Sequence, residues 1–132
     1  MGNAILDDGF ARLVGQWIQL NEQEGISLTF NEAFRTSKAQ AAMRNNPNAI
    51  TPASPGKSWH EAGRAVDANM RRLDPYSRSR VIANAKALGM RWGGNFSDHD
   101  PPHFDYPSKN KPKAIGTAQR EYYGEAPLIA CP

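Results

Sequence analysis

The chain has 132 residues, of which 39% are hydrophobic and 22% are charged. This length fits one domain with a single core, and this balance excludes an intrinsically disordered chain. The formal net charge is +3, but the basic residues are scattered and form no dense run, which argues against a nucleic-acid-binding protein. We expect a single, monomeric domain over residues 1–132 that binds no nucleic acid.

The pattern of apolar residues predicts helices and short strands that alternate along the chain. Phe10–Leu20 has helical spacing, with Asp7 or Asp8 placed as the N-cap. Ile26–Phe30 has the alternation of a strand, and Lys38–Arg44 is predicted to be a short helix.

The remainder of the chain begins with residues 45–57, where three prolines and a glycine forbid regular structure. After this loop the sequence predicts strand 65–70, helix 75–88, strand 90–92, strand 103–106 and helix 113–123. The order α, β, α, β, α, β, β, α indicates an α+β fold, in which a small, mostly antiparallel sheet packs against helices.

The N-terminal residues have no basic start and no apolar stretch, so they do not resemble a secretory signal. No stretch approaches the ~18 apolar residues of a membrane span. The single cysteine, Cys131, cannot form an internal disulfide. These features predict a protein made in soluble form in the cytoplasm, without stable membrane association.

All three histidines lie in two short polar segments, residues 58–67 (SWHEAGRAVD) and 98–105 (DHDPPHFD). Catalytic zinc takes three protein ligands, usually imidazole or carboxylate, and leaves a position for water. The seven-residue spacing of His60 and Asp67 does not place them on neighbouring turns of one helix. It does let a ligand at a loop end meet a ligand on the following strand, and His103 on a second strand would close the site.

Five positions of the first segment reproduce the full signature S-x-H-x-x-G-x-A-x-D, namely Ser58, His60, Gly63, Ala65 and Asp67. The chain therefore resembles the zinc D-alanyl-D-alanine carboxypeptidases and dipeptidases, and also the phage and bacillar L-alanyl-D-glutamate endopeptidases that share this signature. The resemblance extends over about residues 30–106.

Two further motifs of this family have counterparts in the chain. The family carries an acidic residue three positions before the last zinc-binding histidine, which matches Asp100 and His103. Aspartate rather than glutamate at this position resembles the endopeptidase branch. The family's upstream arginine, in an F-R-x-x-x-x-Q context, matches Phe34, Arg35 and Gln40.

The resemblance implies a role for each matched residue. Three of them would bind Zn²⁺ in a cleft: His60, Asp67 and His103. Asp100 would be the general base and acid, Arg35 would bind a substrate carboxylate, and Ser58 would support the metal site or hydrogen-bond the substrate. Trp59 and Trp92 flank the two motifs, where they either line the cleft or pack in the core.

Neighbouring residues leave alternatives open. His99 could replace His103 as the ligand, although only His103 is followed by a strand-like alternation. Asp98 could replace Asp100 as the base. Asp105 would orient a ligating histidine or bind solvent.

The function implied by the resemblance is a zinc metallopeptidase that hydrolyses peptidoglycan stem peptides. An L-alanyl-D-glutamate endopeptidase acting as a phage-type endolysin fits best, because the chain is small, mildly basic and without a signal; it would act on the cell wall after release. The first alternative is a D-alanyl-D-alanine carboxypeptidase or dipeptidase of the same fold. The second is a non-catalytic cell-wall-binding module. Loss of a zinc ligand would indicate such a module, but the sequence retains all three matched ligands.

Overall fold

The computed structural model describes residues 6–35, 37–44 and 57–122. The predicted loop over residues 45–57 lies outside this part of the chain except for Lys57, and so does Cys131. In the described parts of the chain, no helix is long and apolar enough to cross a lipid bilayer.

Within the described residues, helices and strands follow one another in the predicted order. The helices are α1 (Asp8–Gln23), α2 (Ser37–Arg44), α3 (Pro75–Ala87) and α4 (Lys111–Tyr122). The strands are β1 (Thr29–Glu32), β2 (Ala65–Asn69), β3 (Arg91–Trp92) and β4 (His103–Asp105). Two short 3-10 helices, Trp59–Ala62 and Gly93–Asn95, precede β2 and follow β3.

The four strands form one sheet in the order β1-β2-β4-β3, and each neighbouring pair is antiparallel. This confirms the predicted α+β fold with a small antiparallel sheet. In the central strand β2, Asp67 lies opposite His103 of β4 on one side and opposite Glu32 of β1 on the other. The sheet register therefore makes two of the predicted metal ligands cross-strand neighbours.

The first strand begins three residues later than the sequence predicts. Gly25 adopts φ +76°, and the backbone N–H of Ile26 donates to the Asn21 carbonyl oxygen at 2.9 Å. This hydrogen bond closes the C-terminal end of α1. Ile26 is therefore buried in the core as part of the helix end, and the sheet begins only at Thr29.

The two faces of the sheet carry different residues, because successive side chains of a strand point to opposite faces. One face packs against α1 and α3, where the buried Trp17 ring lies 5.9 Å from Phe30 and 4.7 Å from Phe104. The Trp17 indole N–H donates to the Val81 carbonyl oxygen of α3 at 2.9 Å. The residues adjacent to this apolar set along β2 and β4 point to the other face, where the candidate site lies.

Candidate metal centre

His60 lies in a single 3-10 turn whose ends are both fixed by local hydrogen bonds. The Ser58 hydroxyl accepts from the His60 backbone N–H at 3.2 Å, and the Ser58 N–H donates to the Glu61 carboxylate at 3.1 Å. Gly63 ends the turn with φ +66°, a conformation that favours glycine. Nδ1 of His60 lies 2.9 Å from the Ala33 carbonyl oxygen, so Nε2 is the nitrogen that points towards β2.

The side chains of His60, Asp67 and His103 converge on one point at the sheet surface. Oδ1 of Asp67 lies 3.1 Å from Nε2 of His60 and 3.7 Å from Nδ1 of His103. One potential ligand atom from each of the three residues lies within 4.8 Å of the other two. Two imidazole nitrogens and one carboxylate oxygen, all largely buried, fit the donor set of catalytic zinc.

The second ring nitrogen of His103 faces a buried carboxylate. Its Nε2 lies 2.7 Å from Oδ2 of Asp105, whose side chain is only 1% exposed. Arg91 of β3 donates to both oxygens of the same carboxylate, from Nε to Oδ1 at 2.7 Å and from Nη2 to Oδ2 at 2.8 Å. Of the two roles that the sequence left open for Asp105, this geometry matches the orientation of a histidine.

Asp100 lies in the turn that leads into β4, at the edge of the converging group. Its Oδ2 is 3.9 Å from Nδ1 of His103. The Asp100 N–H donates to the Gly93 carbonyl oxygen at 2.9 Å, and the His103 N–H donates to the Asp100 carbonyl oxygen at 3.1 Å. The Trp92 indole N–H donates to the Pro101 carbonyl oxygen at 2.7 Å. These hydrogen bonds hold the turn that carries Asp100 beside the candidate ligands.

Arg35 is buried, and its guanidinium is engaged by neighbouring side chains. Its Nε and Nη2 donate to the two carboxylate oxygens of Glu32 at 2.6 and 2.5 Å, and Nη1 donates to Gln40. The Arg35 backbone N–H also donates to the His60 carbonyl oxygen at 3.0 Å. Gln119 of α4 donates to the Arg35 carbonyl oxygen at 3.0 Å, so Arg35 joins the His60 turn to α4.

The charges of these groups shift one another's pKa values. Burial raises the pKa of Asp67, but the charge of His60 and hydrogen bonds from both histidines outweigh burial and hold it well below its usual range. Burial lowers the pKa of His103, but hydrogen bonds to Asp105 and Asp67 outweigh this effect and raise it to about 9. Burial and the charge of Asp67 raise the pKa of Asp100. A metal ion that binds at His103 must therefore displace a proton.

The structure separates the alternative residues from the converging group. His99 is exposed, its Nδ1 lies 2.9 Å from the Gly94 carbonyl oxygen, and it does not belong to the three-residue group. Asp98 is exposed as well. Trp59 packs in a small core cluster with Ile115 of α4, so it contributes to packing.

Several residues that shape the site carry no sequence motif. The sequence predicts only that Gly93 ends a strand, yet a Cβ atom there would overlap the Asp100 carbonyl oxygen and lie 2.8 Å from the His103 Cβ. The Gly93-Gly94 pair is the only sequence signal for this close approach. Glu32 is recognisable only as an acidic residue three positions before Arg35. Nothing in the sequence around Arg91 indicates which carboxylate it contacts.

Residues 52–106 match the family model described as D-alanyl-D-alanine carboxypeptidase. Over these residues the chain is similar to this peptidase family. The matched range contains all three converging residues and Asp100, and it confirms the resemblance found from the two sequence motifs.

Two curated relatives extend the match beyond that range. An L-alanyl-D-glutamate peptidase of Listeria phage A118 is 32% identical over 105 residues, which cover 73% of this chain and 35% of that protein. The peptidoglycan L-alanyl-D-glutamate endopeptidase CwlK of Bacillus subtilis (strain 168) is 28% identical over 103 residues, which cover 62% of each protein. The chain thus spans about one third of the length of the phage relative and less than two thirds of the length of CwlK.

Solved structures share the fold of this chain at low sequence identity. One is the vancomycin-resistance D,D-pentapeptidase VanY, solved as a mutant in complex with Zn(II), with a TM-score of 0.64 at 17% identity. The match covers 93% of this chain and 82% of the VanY chain. The L-Ala D-Glu endopeptidase ChiX of Serratia marcescens has a TM-score of 0.56 at 19% identity. The match covers 81% of this chain and 84% of the ChiX chain. The α+β fold is therefore that of these peptidases.

Proposed function

We propose that this protein is a zinc-dependent peptidase of peptidoglycan stem peptides that cuts the bond between L-alanine and D-glutamate. The observation that carries the proposal is the convergence of His60, Asp67 and His103 within 4.8 Å, with the Asp100 carboxylate 3.9 Å from His103. The bond is proposed from the relatives, because both curated relatives and ChiX are named for L-alanyl-D-glutamate cleavage.

In this proposal Asp100 is the general base and acid. When bound, zinc would polarise the scissile carbonyl and lower the pKa of water to about 7. Asp100 is positioned beside the ligands to take a proton and return it to the leaving amine.

Arg35 is proposed to bind a carboxylate of the substrate. Stem peptides are rich in carboxylates, and the planar fork of an arginine can donate two parallel hydrogen bonds to one. Glu32 already accepts both of these hydrogen bonds, so a substrate carboxylate has to compete with Glu32. For Ser58 we propose a supporting role, because its hydroxyl caps the turn that carries His60.

The biological setting proposed is that of a phage-type endolysin, which is made inside the bacterium and reaches the cell wall after release. The match to a peptidase of Listeria phage A118 supports this setting. The substrate is then the stem peptide of the wall, and we propose that the protein acts as a monomer on it, as one domain over residues 1–132.

Digestion of purified peptidoglycan tests the proposal. The wild type and Asp100→Ala are compared with and without a chelator, and the released fragments are identified by mass spectrometry. We expect new stem peptides that begin at D-glutamate, from the wild type alone and only without chelator. Release of terminal D-alanine instead would assign the D-alanyl-D-alanine carboxypeptidase activity. A wild type that binds the wall, cuts nothing and holds no zinc would be a cell-wall-binding module.

A further inference from the structure

We propose that Arg91 and Asp105 are positioning residues that hold the His103 ring in the orientation needed for metal binding. This inference rests on the proposed function, because it concerns the same metal centre. Neither residue contributes a ligand atom to the converging group, and neither belongs to the signature motifs.

The two nitrogens of the His103 ring have separate partners. Nδ1 points towards Asp67 and Asp100, while Nε2 lies 2.7 Å from the Asp105 carboxylate on the opposite side of the ring. A histidine that binds metal through one nitrogen carries its proton on the other. Asp105 can accept a hydrogen bond from that proton, so it selects the tautomer in which Nδ1 is available to the metal.

Arg91 fixes Asp105 in turn. Its Nε and Nη2 donate to the two carboxylate oxygens at 2.7 and 2.8 Å, which is the bidentate geometry that fixes both partners most firmly. The guanidinium also lies 4.8 Å from the centre of the Phe96 ring, and Phe96 lies 5.5 Å from the His103 ring. Arg91 thus contacts both Asp105 and Phe96, and each of these two residues contacts His103. We call Arg91, Phe96 and Asp105 together the His103 clamp.

The two candidate histidine ligands are held by different chemistry. Nδ1 of His60 lies 2.9 Å from a backbone carbonyl oxygen, that of Ala33, whereas Nε2 of His103 faces a carboxylate held by a guanidinium. A change in the clamp should therefore alter His103 and leave His60 unchanged. The second histidine provides an internal control within the same site.

Arg91 is the residue to change first, because its side chain is 49% exposed and its loss leaves no large cavity. We compare the wild type, Arg91→Gln, Arg91→Lys and Arg80→Gln. Arg80 is the matched control, since it also donates from Nε and Nη2 to one carboxylate, that of Glu24, and this pair is not part of the clamp. Circular dichroism and thermal melting verify that each variant is folded.

Zinc affinity is measured by competition with a chromophoric chelator, which requires no peptidoglycan substrate. Loss of a group that orients a metal ligand typically weakens binding by about 10- to 100-fold, and we expect this loss for Arg91→Gln. Arg91→Lys should lose less, because lysine keeps the charge but not the bidentate fork. Arg80→Gln should bind zinc within about twofold of the wild type, as expected for an exposed ion pair.

The ring N–H signals of the zinc-loaded protein give a second readout. In ¹H–¹⁵N NMR spectra the wild type should show one protected ring N–H for each of the two histidines. In Arg91→Gln the His103 signal should broaden through exchange with water, while the His60 signal persists. A melting temperature lowered without either change would mean that Arg91 is only structural, and would overturn the inference while the proposed function stands. A wild type that binds no zinc would overturn both.

Discussion

Gly93 lies directly against the carbonyl group of Asp100, and there is no space for a side chain between them. A Cβ atom built on Gly93 would overlap the Asp100 carbonyl oxygen and lie 2.8 Å from the Cβ atom of His103. The Gly93 carbonyl oxygen also accepts the Asp100 N–H at 2.9 Å. The position of the proposed base therefore depends on the absence of one methyl group.

Replacing Gly93 by alanine should displace the turn that carries Asp100 and His103. We expect a loss of about 1–3 kcal/mol in the free energy of unfolding, typical of overpacking, and a larger relative loss of peptidase activity. Urea unfolding and peptidoglycan digestion measure the two effects. Gly15→Ala is the control, because Gly15 is helical and a Cβ atom there has no neighbour within 4 Å. It should stabilise α1 by about 0.5–1 kcal/mol. Unchanged activity in Gly93→Ala would contradict the proposed position of Asp100.

Asp100→Asn should remove proton transfer and leave metal binding intact. The amide has nearly the same shape but cannot take up a proton, so we expect kcat to fall by about 10²- to 10⁴-fold. Zinc affinity should change little, since Asp100 lies beside the converging group and outside it. Asp98→Asn is the control at an exposed position two residues away, and should retain full activity. If Asp98→Asn is the inactive variant, the roles of the two aspartates are exchanged.

Two kinds of feature could be predicted from the sequence. The roles of Arg35, Asp100 and His103 follow from the family resemblance, and other features are fixed by local chemistry. The S-x-H-x-x-G-x-A-x-D spacing reflects a capped 3-10 turn, a left-handed glycine and the following strand, all within ten residues. Helix α3 is similarly local, because Asp74 caps its start and Gly89, with φ +87°, follows its end. Such features need no knowledge of the rest of the fold.

The contacts that could not be predicted join residues distant in sequence. Arg91 meets Asp105 because β3 pairs with β4, and that register follows from the whole sheet. Gln119 donates to the carbonyl oxygen of Arg35, 84 residues earlier in the chain. A buried arginine needs a partner of opposite charge, but the tertiary fold decides which carboxylate it meets.

The pairing of Glu32 with Arg35 should be strong enough to detect in a double-mutant cycle. Arg35→Met leaves a largely buried Glu32 carboxylate without its partner, so we expect a loss of about 3 kcal/mol in the free energy of unfolding. Arg35→Met combined with Glu32→Gln should recover part of this loss. Chemical denaturation of the two single variants and the double variant measures the coupling. Strictly additive losses would show that the two side chains do not stabilise each other.

Glu32→Gln also tests how Arg35 meets the substrate. Because the amide competes more weakly for the guanidinium than a carboxylate does, a substrate carboxylate should bind more easily, and KM should fall while kcat is retained. Steady-state kinetics on a soluble stem peptide separates the two constants. A KM that rises in Glu32→Gln would mean that Glu32 orients Arg35 for the substrate and does not compete with it.

The stability of the metal-free protein should decrease as the pH rises from about 6.5 to about 9. Contacts with Asp105 and Asp67 raise the pKa of folded His103 from 6.5 to about 9. Below pH 6.5 the histidine is protonated in the folded and unfolded chains alike, so its stabilising contribution is complete. Between the two values only the folded chain holds the proton, and the free energy of unfolding falls by up to about 1.4 kcal/mol per pH unit. The depressed pKa of Asp67 adds no slope here, because its contribution is lost only below the unfolded value of 3.8.

Zinc should abolish this dependence on pH, because the metal and the proton compete for His103. In saturating zinc the zinc-bound folded chain and the unfolded chain both carry a neutral histidine above pH 6.5. The tighter zinc binding at higher pH therefore offsets the loss of the His103 proton, and the free energy of unfolding should change by less than about 0.5 kcal/mol between pH 6.5 and 9. Urea unfolding at several pH values, in chelator and in zinc, measures both slopes. His103→Gln should flatten the slope measured in chelator, whereas Gly15→Ala should leave both pH profiles unchanged. A chelator-treated His103→Gln protein with the wild-type slope would show that another group is responsible for the pH dependence.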